Sequence, residues 1–85
     1  MQRFADVTNK LILEGNLQRA EKCFRIADTL LRTGNLIIKN AVANVFVYSL
    51  SLVLDRRDEH YEKIMRILPL SLKEEYKQQQ MSYGV

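Results

Sequence analysis

Gly34-Asn35-Leu36-Ile37-Ile38-Lys39-Asn40-Ala41-Val42-Ala43-Asn44-Val45-Phe46-Val47-Tyr48-Ser49-Leu50-Ser51-Leu52-Val53-Leu54 is the stretch whose reading decides the fold. It carries no charge from 40 to 54. Read at 100° per residue, its apolar side chains wrap most of the circumference and leave one narrow polar stripe of Asn40, Asn44 and Ser51. A helix apolar nearly all round is a buried one. A competing pattern exists, because Val45-Phe46-Val47-Tyr48 is rich in strand formers and 45–54 also fits a period of two. The length of the segment and the absence of turn residues within it favour a helix over about 36–54. Its 15 uncharged residues fall short of the about 20 that cross a bilayer, so no membrane span is expected.

The corner that opens this helix occurs twice. Gly-Asn-Leu stands at 15–17 and again at 34–36, nineteen residues on. That spacing fits a helix of about four turns and a tight turn. Gly15 is suited to the left-handed residue that ends a helix, and Asn16 to capping the next one through its side-chain oxygen. Before the first corner, Phe4, Val7, Leu11 and Leu13 recur at helical spacing and predict a helix over about 2–14. Between the corners, 17–33 is strongly amphipathic. Leu17, Ala20, Cys23, Phe24, Ala27, Leu30 and Leu31 fall on one side, and Arg19, Lys22, Arg25, Asp28 and Arg32 on the other.

After Leu54, Asp55-Arg56-Arg57-Asp58 reads as a polar corner in which either aspartate could cap a helix over about 58–68. Tyr61, Ile64, Met65 and Leu68 form its apolar line, and Pro69 stops it. Ser71-Leu72-Lys73-Glu74 matches the capping-box pattern and predicts a short helix over about 72–80. Gln78-Gln79-Gln80 and the tail to Val85 are expected to fray. The expected fold is all-α: a single domain, 1–85, of four to five antiparallel helices around the uncharged one. Because the covering helices are short, cover is expected to be incomplete and to be completed by a second copy, as a homodimer.

The first 34 residues resemble one tetratricopeptide-type repeat. Phe4, Val7, Thr8 and Leu11 match its first helix, Gly15-Asn16-Leu17 its turn, and Ala20, Phe24 and Ala27 its second helix. Arg32 stands where that family usually has proline. A second repeat begun at 35 would put Ser49 at the glycine turn, so the resemblance implies one hairpin and not an array. Over most of its length the chain is also similar to a group of small bacterial helical domains of uncharacterised function, through the Gly-Asn corner, Lys39-Asn40-Ala41 and the aromatic-aliphatic helix. The first resemblance implies a scaffold that binds rather than catalyses.

The net charge of +3 is concentrated. Residues 15–39 hold Arg19, Lys22, Arg25, Arg32 and Lys39 against Glu21 and Asp28, while the flanking regions are each neutral. The single cysteine, Cys23, excludes an internal disulfide and fits a reducing, cytoplasmic setting. No signal peptide is visible at the N-terminus. His60 is the only histidine and sits on a charged helix start, where a solvated side chain outweighs a general base. Asp55, Asp58, Glu59 and Glu62 share one face if 55–62 is helical, but Glu59–Lys63 and Glu62–Arg66 are better read as i,i+4 ion pairs than as parts of a metal site. No phosphate loop or nucleophile motif is present. No cofactor, metal or catalytic residue is therefore expected. The expected role is a non-enzymatic protein-interaction module, contacting its partner through Arg19, Lys22, Arg25, Arg32, Val47 and Tyr48. Nucleic-acid binding by the basic face is the alternative, weakened by the bordering Glu21 and Asp28 and by the lack of an interleaved aromatic.

Overall fold

The computed structural model describes residues 1–83. Among them are five helices and no strand: α1 (Gln2–Leu13), α2 (Leu17–Thr33), α3 (Leu36–Leu54), α4 (Glu59–Ile67) and α5 (Leu70–Tyr83). The strand reading of 45–54 is thereby settled in favour of helix. At 1.5 Å per residue, α3 is about 28 Å long, close to the 32 Å long axis of the molecule. It touches each of the other four helices and forms the centre of the fold.

The hairpin of α1 and α2 closes on small residues. Ala5, Ala20 and Ala27 are fully buried and let the helices approach, while Phe24 fills the space between them. Gly15 takes φ +79°, and the bonds from Gly15 N to Ile12 O (3.0 Å) and from Asn16 N to Leu11 O (2.8 Å) form a Schellman ending for α1. Phe46 of α3 then sits against both helices, stacked on Phe4 at 5.2 Å and edge-on to Phe24 at 6.4 Å. Ile12, Val42, Leu50, Leu54, Ile64 and Leu72 are also fully buried.

Helix α3 is not uniform. Residues Val42–Val47 are wound as a π-helix, flanked by α-helical Leu36–Ala41 and Tyr48–Leu54. A π turn closes i→i+5 bonds, so each of its residues turns through less than the α-helical 100°. Everything after it lags behind the straight-helix expectation. Two consequences correct the sequence reading. Ser51, expected on the polar stripe with Asn40 and Asn44, is turned inward and buried, its hydroxyl donating to Tyr48 O. Val47, expected to meet a partner, is fully buried in the core. Tyr48 and Leu52 take the outward positions instead, 45% and 55% exposed. Neighbouring helices donate to backbone carbonyls in and just after the π segment. Gln79 Nε2 reaches Ala43 O at 2.7 Å, and Asn9 Nδ2 reaches Ser49 O at 2.9 Å.

The C-terminal part departs further from expectation. α5 begins at Leu70, directly after Pro69, rather than at a Ser71 cap. Ser71 instead donates its hydroxyl to the Asp28 carboxylate of α2. Residues 78–80 do not fray: α5 continues to Tyr83, and Gln79 and Gln80 both make hydrogen bonds outside it. Residues 84 and 85 of the expected tail lie outside the described residues.

Candidate interaction surface

Four of the six residues expected to meet a partner come from α2. Arg19, Lys22, Arg25 and Arg32 are all exposed, and they do not contribute equally. Arg25 pairs with Glu21 at 3.6 Å and Arg32 with Asp28 at 3.1 Å, each one helical turn apart. Asp28 also receives the Ser71 hydroxyl, so it is shared between α2 and α5. Arg19 and Lys22 have no ion pair among the described residues. The unbalanced positive charge of α2 therefore lies in its first two turns. Exposed pairs of this kind contribute little to stability, about 0–1 kcal/mol each. Their importance is for the field a partner would meet.

The apolar side of this surface was not anticipated. Ile26 stands 53% exposed on α2, amid the charged face. Just past the C-terminal end of that helix, Leu36 and Ile37 are 72% and 80% exposed. Cover of α3 is incomplete: Leu36 and Ile37 in its first turn, and its outward line of Asn40, Asn44, Tyr48 and Leu52, are open to solvent. In the sequence, Ile26 belonged to neither the apolar nor the charged cluster of α2, which was the one signal available. Leu36 and Ile37 carried no signal, because an apolar residue next to a corner reads as core until the neighbours are known.

By length and apolar composition, α3 is long enough to cross a membrane, since the helix extends over 19 residues rather than the 15 uncharged ones. The length argument against a span does not hold. The inward side of α3 is occupied by Val42, Phe46, Val47, Leu50, Val53 and Leu54, packed in the common core.

The groups that could carry chemistry stay apart. Cys23 is half-buried rather than enclosed in the core. His60 donates its backbone N–H to the Asp58 carboxylate at 3.0 Å, so Asp58 is the cap of α4. Asp55 and Asp58 precede that helix and do not share a face with Glu59 and Glu62. Among the described residues, no group of three or more His, Cys, Asp or Glu is placed to hold a metal. Asp55 has a different role. It accepts from Tyr76 Oη and from Gln80 Nε2, both at 3.0 Å, and so ties α5 to the corner after α3. The Tyr76 hydroxyl is pushed up to about 12, first by burial and then by donating to the negatively charged Asp55. Arg57 occupies the left-handed region at φ 53° and lies over the Tyr61 ring at 4.5 Å.

The family model described as Domain of unknown function (DUF7674) matches residues 1–82, and the chain belongs to that family. No curated protein and no solved structure matches it.

Proposed function

We propose that this DUF7674 domain is a non-enzymatic protein-interaction module that binds through α2 and the exposed start of α3. The observation that carries the reading is the exposure of Leu36 and Ile37, at 72% and 80%, beside a helix that carries two of the chain's three net positive charges. Small monomeric proteins leave single aliphatics exposed as a matter of course, but adjoining ones rimmed by charge mark a contact surface. The tetratricopeptide-like pattern of α1 and α2 supports the same reading, since such hairpins present a face to other proteins. The half-buried single thiol is compatible with the cytoplasm as the setting.

The test is capture from the native host. The tagged chain is expected to retain one stoichiometric protein, identified by mass spectrometry. The double variant Leu36→Asp/Ile37→Asp is expected to lose it while keeping its helical circular dichroism. Capture of nothing at stoichiometric level, or capture indifferent to that variant, would sink the proposal.

A second reading is self-association through α3, favoured by Tyr48 and Leu52 on a face without charge. Light scattering over a hundredfold range of concentration, with Leu52→Glu as control, decides it. A mass that stays monomeric throughout removes it. Nucleic-acid binding by the basic face is the weaker alternative, because Glu21 and Asp28 already pair with two of its four arginines and lysines.

A further inference from the structure

We propose that the outward furrow of α2 takes an acidic amphipathic helix from a partner protein. This rests on the interaction-module reading and adds the partner's chemistry. A shallow, open depression on α2 is lined by Arg25, Ile26, Thr29 and Leu30. Those positions are i, i+1, i+4 and i+5. They form two adjacent i,i+4 rows, Arg25–Thr29 and Ile26–Leu30, with the depression between them. Such a furrow is what the i±4 ridge of a second helix fills when two helices cross at about −50°. The Thr29 hydroxyl already donates to Arg25 O at 3.0 Å, so it makes no strong polar demand on an occupant. Ile26 supplies an exposed aliphatic anchor at the centre.

Charge sets the rest of the occupant. Arg25 shares its charge with Glu21, whereas Arg19 and Lys22, one to two turns toward the N-terminus of α2, have no ion pair among the described residues. The furrow thus joins an apolar centre to an unbalanced cationic end. An occupant with two aliphatics at i,i+4 and carboxylates over Arg19 and Lys22 complements both, and a helix presents side chains at that spacing. A nucleic acid fits less well. Its phosphates would meet Glu21 and Asp28 on the same helix, have no use for Ile26, and find no aromatic there for a base to stack on. A second copy of this furrow would bring the same cationic surplus to the contact, where like charges oppose association.

The experiment selects a display library of helical peptides, randomised over one face, against the full chain. Enriched sequences are expected to carry two aliphatics at i,i+4 with Asp or Glu beyond one end. Measured by fluorescence anisotropy, Arg19→Glu/Lys22→Glu is expected to weaken the selected acidic peptide at least tenfold and to improve a Lys-for-Glu version of it. Ile26→Asp is expected to abolish both, and Lys63→Glu, an exposed charge reversal on α4, to change the first less than threefold. No enrichment, enrichment of basic sequences, or indifference to the Arg19/Lys22 reversal would overturn the proposal. So would tighter, steeply salt-dependent binding of a 20-mer oligonucleotide, or self-association that Ile26→Asp removes. Because the selection needs no native partner, it can succeed where capture from the host fails, and the two failures remain distinct.

Discussion

The two Gly-Asn-Leu corners contain the same three residues and meet different physical demands. At the first, glycine is needed for its backbone. Gly15 is left-handed, and a Cβ built on it would meet nothing within 4 Å. At the second, glycine is needed for its size. Gly34 is extended, with φ −71° and ψ 165°, a conformation open to any residue. A Cβ there would lie 2.6 Å from Leu30 O and 2.7 Å from Ile38 Cγ2. The asparagines differ too. Asn35 accepts from Ile38 N at 2.9 Å, while Asn16 accepts from Arg19 N at 3.4 Å. The leucines diverge most in use: Leu17 is half-buried, and Leu36 is 72% exposed. A sequence repeat here is a repeat of punctuation and not of packing.

The largest effect that tests this contrast is Gly34→Ala. Overpacking against a backbone carbonyl should cost about 2–3 kcal/mol, lowering Tm by roughly 10–20 °C in a domain of this size. Gly15→Ala should cost about 1–2 kcal/mol, the penalty of a left-handed L-residue. Thermal unfolding of both variants checks the order, and a reversed order breaks the comparison. D-Ala at position 15 of the synthetic chain sharpens it, being tolerated there because a positive φ suits a D-residue.

Next come the caps. Asn35→Ala should destabilise by about 1 kcal/mol and Asn16→Ala by roughly 0.5 kcal/mol, following the better geometry at the second corner. Equal losses in urea unfolding would show that the 0.5 Å difference between the two bonds has no energetic meaning.

The corner at 55–58 extends the comparison, because it turns without glycine. Arg57→Gly relieves the left-handed strain at φ 53° but removes the guanidinium from the Tyr61 ring. These oppose each other at about 1 kcal/mol apiece, so the net change should stay within about 0.5 kcal/mol. A gain well beyond that would mean the ring contact is inert. The last effect appears only in alkali. Tyr76 is raised from 10.0 to about 12, so the folded state holds this proton more tightly than the unfolded state. The associated stability is fully present below pH 10 and is lost as pH rises through about 12. Tyr76→Phe should flatten that part of the pH–stability curve, and an unchanged slope would place the loss elsewhere.

Much of the fold was legible because its signals are local. The two corners, the amphipathic stripe of α2 and the stop at Pro69 each follow from a few neighbouring residues. The surface was legible in part. Charge spacing picked out Arg19, Lys22, Arg25 and Arg32, but which of them Glu21 and Asp28 neutralise depends on rotamers. Val47 was misplaced because 100° per residue was carried through 42–47, where the winding changes. Nothing in Val42-Ala43-Asn44-Val45-Phe46-Val47 announces that change. The contacts that meet the segment come from residues distant in sequence, Phe4 and Phe24 around Phe46 and Gln79 at Ala43. Leu36 and Ile37 were read as core for the same reason, since exposure is a property of what fails to arrive beside them.

The π segment makes α3 two helices on one axis with different phases. Over its six residues the lag adds up to roughly one residue's turn, so the segment acts as one extra residue taken up within an α-helix. Removing one residue from 42–47 would restore regular winding and leave Tyr48 and Leu52 near their present phase. Rewinding the segment at constant length would instead swing them around, re-aiming one half of the central helix while the half that follows Gly34 stays where it is.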